Sequence, residues 1–186
     1  MPEDMTDHPA NVDTMRDLAP PCGEQNSQEP SADLTERQAA ALAGSHSLAS
    51  RGRRAPSLLG YVPKQEALLR HAYRHFVEVS ESRRVLSYAA EWLLDNFYII
   101  LQAIRQLRED MPRTYYAQLP LLDASVLAGY PRVYAIARSI ISSNEGYLDT
   151  NLALRFIQAY QRISPLTMGE LWALPTMFRI VFIESL

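Results

Sequence analysis

The sequence holds one cysteine, Cys22, which excludes an internal disulfide and leaves any cysteine-based metal site without ligands. Aromatic residues are missing from the first sixty positions: all seventeen Phe, Tyr and Trp fall at or after Tyr61. Aromatic and branched aliphatic side chains supply most of the apolar area whose burial offsets the entropy of ordering a chain. Residues 1–60 are therefore expected to form a disordered acidic tail and linker, and residues 61–186 the folded domain. A dominant charge is lacking too. Before Tyr61 there are nine Asp and Glu against five Arg, and from Tyr61 onward twelve against thirteen Lys and Arg, so the tail is acidic and the domain nearly neutral. This distribution excludes the net basic face expected of a nucleic-acid binder. Arg51, Arg53 and Arg54 read as a solvated linker, with a phosphate or anionic lipid contact as the alternative.

The opening "MPEDMTDHPANVD" is acidic and has no apolar core, so it has neither the pattern of a secretory signal nor the arginines of a transit peptide. The best candidate for a membrane span is "AAEWLLDNFYIILQAIRQLRED", Ala89 to Asp110, and it fails the requirement for about twenty mostly apolar residues. Glu91, Asp95, Gln102, Arg105 and Arg108 interrupt it. Leu86, Ala90, Leu93, Leu94, Phe97, Ile100, Leu101, Ile104 and Leu107 follow helical spacing instead. This is an amphipathic soluble helix, not a span. With Ser80 or Ser82 as N-cap and Pro112 as stop, it is expected to run about thirty residues, roughly 45 Å, and to organise the domain.

The rest of the chain carries similar punctuation. Pro63 fits the first position of a helix near 63–78. "PRTYYAQLPLL" reads as a turn with a short helix, and "GYPRVYAIARSIISSNEG" as a helix from Pro131 to about Ser143 with Gly146 beyond its end. Asp149 or Thr150 caps the next helix, which Pro165 stops. Thr167 and Glu170 have capping-box spacing for a last helix that Pro175 should kink. No alternating apolar and polar runs with hairpin turns occur after Tyr61, so the fold is expected to be all-α, a bundle of about five helices.

Few constellations could carry chemistry. His71 and His75 have the i, i+4 spacing with which two imidazoles grip one metal, and Glu78 follows a turn later. A solvated helix face is the simpler reading, and no metal and no cofactor are expected. Glu91 and Asp95 share a face but read as surface carboxylates. There is no Glu-x-x-His for a di-iron bundle, no glycine-rich phosphate loop, and no Ser or Cys nucleophile signature. Trp92 and Trp172 sit in dense apolar neighbourhoods, each readable as a core residue or as an anchor that docks a neighbouring domain.

"AEWLLDNFYII" (Ala90–Ile100), "REDMPRTYYAQLPLL" (Arg108–Leu122), "LAGYPRVYAIA" (Leu127–Ala137) and "AYQRISPLTMGELWALPTMFRIVFIESL" (Ala159–Leu186) together resemble the N-terminal region of cyclic β-1,2-glucan synthases. The resemblance covers about two thirds of the chain. It implies a very large bacterial inner-membrane protein that uses UDP-glucose to build a β-1,2-linked glucan, trims it by phosphorolysis and closes it into a ring. The family's transferase domain carries Asp-x-Asp and Gln-x-x-Arg-Trp type motifs, and this sequence has neither. The expectation is a fragment or split-gene product that lacks the glycosyltransferase and phosphorylase domains and is inactive alone. It would be a non-catalytic helical module on the cytoplasmic side of the inner membrane. Its expected partner is the remainder of a glucan synthase, as one polypeptide or a separate subunit, with no nucleic acid and no membrane span of its own. The inter-domain packing residues would be Trp92, Trp172, Met177, Phe178, Val181 and Phe182, with an exposed apolar patch around Trp172, Met177, Phe178, Ile180, Val181 and Phe182. A stand-alone helical interaction module is the alternative, and a small metalloenzyme through His71 and His75 a third reading.

Overall fold

A computed structural model describes residues 29–49, 58–82, 85–144 and 146–186. Seven helices are found among them: α1 Glu29–Ser45, α2 Leu58–Glu81, α3 Tyr88–Asp110, α4 Arg113–Tyr116, α5 Arg132–Ser143, α6 Thr150–Ile163 and α7 Met168–Ser185. The described residues contain no strand, only the isolated bridges Leu48–Leu122 and Leu121–Pro131. The expected all-α class is met, with more helices than the five anticipated. Helix α1 packs on α6, α5 on α7 and α2 on α3, and α7 also meets α2 and α3. The last helix thus joins α5 to the α2–α3 pair, and α5 in turn meets α6. The buried residues of α7, among them Ala173, Leu174, Met177, Ile180, Val181 and Ile183, line one half of its circumference.

Helix α1 lies within the segment expected to be tail. It packs without any aromatic residue: Ala39 and Ala43 are buried, and small side chains let its backbone approach α6 closely. Beyond α1, Ala49 N–H donates to Leu121 O at 2.8 Å and Asp123 N–H to Ser47 O at 2.9 Å, fastening its exit to the loop before α5. The tail expected over residues 1–28, and Arg51, Arg53 and Arg54, lie outside the described residues.

Helix α2 begins at Leu58, not Pro63; Leu58 and Val62 are buried anchors ahead of the predicted start, and Pro63 lies inside the helix. Helix α3 is 23 residues long, shorter than the thirty expected. Ser80 belongs to α2, and the Ser82 hydroxyl bonds back to Glu78 O at 2.9 Å. The true N-cap is Ser87, whose hydroxyl accepts from Ala90 N–H. At the other end Met111 N–H closes on Leu107 O before Pro112 ends the helix. The inward stripe Ala90, Leu93, Phe97, Ile100, Ile104 and Leu107 is buried, and Tyr73 of α2 stacks on Phe97 with ring centroids 4.3 Å apart. Glu66 ties the pair at the surface, meeting Arg70 at 2.8 Å and Arg108 at 2.5 Å; the Arg70 hydrogen bond, with Arg108 beside it, holds its carboxyl below the usual range.

The later helix boundaries fall at their predicted signals. Gly146 takes φ 88°, a conformation few other residues adopt readily, and returns its N–H to Ile141 O. Asp149 caps α6 by accepting from Asn151 and Leu152 N–H. Thr167 and Glu170 form the reciprocal capping box, and α7 continues through Pro175 to Ser185.

Candidate functional site

The most constrained polar site in the fold lies where α5, α6 and α7 converge. Arg132 is 3% exposed and Glu170 fully buried. Arg132 Nε donates to Glu170 Oε1 at 2.8 Å and Nη2 to Oε2 at 2.7 Å, the two-pronged geometry that suits a planar guanidinium. Its remaining donors reach Ser164 Oγ at 2.7 Å and Pro165 O at 3.1 Å. Glu170 Oε2 also accepts from Thr167 N–H at 2.9 Å, so the residue that caps α7 neutralises a buried arginine as well. The guanidinium lies 6.0 Å from the Tyr160 ring, and the Tyr160 hydroxyl meets Nδ1 of His46, the residue just after α1, at 2.8 Å. Burial first, and the nearby Arg132 cation second, hold the His46 imidazole below its ordinary pKa.

This network joins α1, α5, α6 and α7, and no buried side-chain polar atom is left without a partner among the described residues. A group that works as a general acid or base must reach substrate. Here every carboxylate oxygen is engaged inside the core, so the cluster is a latch rather than a reaction centre. Sequence reading found Glu170 through its capping spacing but missed Arg132, because nothing local marks a partner 38 residues away.

A shallow groove between α1 and α5 is lined by Leu42, His46, Ser125, Arg138, Ser139 and Ser142. It pairs a cation and a histidine with hydroxyls, and no carboxylate lines it to complete an acid–base couple. His71, His75 and Glu78 do not form a metal cage: among the described residues no group of three or more His, Cys, Asp or Glu is placed to hold an ion.

The six residues expected to pack against a partner are divided by the structure. Met177 (0% exposed) and Val181 (7%) are core residues, as is Ile180, so the expected patch is narrower than sequence suggested. A helix that is apolar on all sides gives no sign of which side its own domain claims. Phe178 and Phe182 are half-buried against the core. Trp172 is 77% exposed and Trp92 43%, so neither indole is a core residue. Trp172 lies one turn after Met168, itself 72% exposed, and the two line an apolar groove with Tyr115 and Gly169. Tyr115 donates its hydroxyl to Gly169 O at 2.5 Å. Pro175, Arg179, Phe182 and Leu186 continue the same side of α7 at helical spacing. Of these, Arg179 is paired with Asp110 of α3 at 2.7 Å.

The described residues define an all-α module with an interior polar latch and an exposed ridge along α7. No helix among them is long and apolar enough to cross a membrane. No family model matches the chain, and no solved structure matches it. A curated relative does: the cyclic beta-(1,2)-glucan synthase NdvB of Rhizobium meliloti (strain 1021) is 33% identical over 155 residues, which cover 83% of this chain and 5% of that synthase. The chain is therefore related to the cyclic β-1,2-glucan synthases, and the resemblance carried by the four quoted segments holds. It matches only a small part of its relative's length.

Proposed function

We propose that this chain is a non-catalytic helical module of a cyclic β-1,2-glucan synthase, packing against the UDP-glucose-dependent sugar-transfer core from the cytoplasmic side of the bacterial inner membrane. The relatedness over 83% of the chain carries this reading. The ridge of α7 supports it: a tryptophan and a methionine this exposed beside an apolar groove fit a surface that another protein covers. The partner is the remainder of a synthase, whether in the same polypeptide or a separate subunit. The module's contribution is positional, since Glu170, the carboxylate buried deepest among the described residues, is spent inside the fold.

The test has two arms. The purified chain, given UDP-glucose and a divalent cation, is expected to make no glucan. Co-expressed with a glucan synthase from which the matching segment has been deleted, it is expected to restore cyclic glucan. Glucan made by the chain alone would overturn the non-catalytic reading. Failure to associate with the truncated synthase would overturn the packing and leave a separate interaction module as the account.

A further inference from the structure

A helix whose one side is buried ordinarily carries charge and short polar groups on the other. The outward side of α3 departs from this. Tyr88 is 83% exposed, Trp92 43% and Ile99 47%, and with Asp95 they stand at positions i, i+4, i+7 and i+11. That alternation of four and three is the heptad spacing by which one helix meets another. It runs on the side opposite the buried stripe of Leu93, Phe97, Ile100 and Ile104, so α3 carries a second seam about 16 Å long at 1.5 Å per residue. Farther along, at Gln102 and Gln106, the same side becomes polar, which bounds the seam to its first three turns.

The seam contains a carboxylate. Asp95 stands at its centre and Glu91 beside it, both exposed, with Tyr98 (67% exposed) on the same flank. The ion pairs found among the described residues use Asp33, Glu36, Glu66, Asp110 and Glu170, not these two. A polar group at a seam position costs affinity unless its counterpart stands opposite, and in return fixes register and partner choice. Apolar spacing calls for an amphipathic helix, and the two carboxylates call for lysine or arginine across from them.

We propose that the outer seam of α3 docks a cationic amphipathic helix of another protein chain, with Trp92 as its anchor and Asp95 selecting the basic partner. This is independent of the synthase reading, which rests on relatedness and on α7. It gives a role to Trp92, which the α7 ridge does not use.

The full chain carrying Trp172→Phe retains Trp92 as its one indole and so reports on the seam. The probe is a synthetic helix of about three heptads with leucine at the seam positions and lysine beside them. A glutamate version of the same peptide is the control, and vesicles of phosphatidylglycerol with phosphatidylcholine are a third probe. The lysine helix is expected to bind saturably with a blue shift of Trp92 emission, more weakly as salt rises, and the glutamate helix not to bind. Asp95→Lys should reverse that preference. By calorimetry, Trp92→Ala should weaken the lysine helix by about tenfold or more, as expected for an anchor, with helix content by circular dichroism unchanged. Equal binding of the two peptides, binding of neither, or full binding to Trp92→Ala overturns the proposal. Binding to the vesicles but to no peptide overturns it too, and assigns the face to lipid.

Discussion

Arg132 and Glu170, 38 residues apart in sequence, meet through two hydrogen bonds of 2.8 and 2.7 Å inside the seam of α5 and α7. Neither charge reaches water, so each is tolerable only because the other is present. Glu170→Ala strands a buried guanidinium and removes the capping box, and is expected to cost about 3–5 kcal/mol. Replacing the pair together by Met and Leu should cost far less than the two single losses combined. Urea denaturation of the two single variants and the double variant measures this directly.

The docking of α1 should depend on pH. His46 faces Tyr160 of α6 and Arg132 of α5, with Arg138 in the adjoining groove and Glu170 behind Arg132. Burial and Arg132 depress its pKa in the docked state, so the undocked helix binds the proton more readily. The associated stability is present above the ordinary histidine value, about 6.5, and is lost as pH falls below it. Amide protection over Asp33–Ser45, taken relative to the intrinsic exchange rate at each pH, is expected to fall as pH is lowered from 7.5 to 5.5, while protection in α3 stays steady. His46→Gln should flatten the dependence.

Ser87, rather than Ser80 or Ser82, caps α3. Ser87→Ala is expected to cost about 1 kcal/mol, the usual loss for a cap. Ser82→Ala, which removes only a bond back to Glu78 O at an exposed helix end, should cost no more than a few tenths. Thermal melts of the two variants settle the order.

On α7, Met177 and Trp172 are five residues apart and have opposite roles. Met177→Ala empties a fully buried position and is expected to cost about 2–5 kcal/mol. Trp172→Ala removes the larger side chain from a largely exposed position and should change stability by about 0.5 kcal/mol or less. Denaturation midpoints of the isolated chain compare the two.

The helices were legible in the sequence where a side chain marks a boundary by chemistry: Asp149, Thr167 with Glu170, and Gly146 stand where their capping and turn preferences put them. Boundaries set by packing were not. Leu58 and Val62 start α2 earlier than Pro63 indicates, because burial supports turns that local signals leave unmarked. Helix α1 carries no aromatic residue to mark it, and its buried seam is alanine. Trp92 and Trp172 read in sequence either as core residues or as anchors, because exposure is decided by neighbours distant in sequence. Met177 and Val181 looked like partners of Trp172 and proved to belong to the core for the same reason.

The central claim is that the chain acts by contact, through the ridge that Trp172 heads. The most direct measurement is co-sedimentation of the full chain with membranes holding a cyclic β-1,2-glucan synthase that lacks the matching segment, wild type against Trp172→Ala. Saturable binding of the wild type is expected, weakened about tenfold or more by the substitution, as for an interface anchor, with helix content unchanged. Wild type and variant binding alike, or neither binding at all, would contradict it.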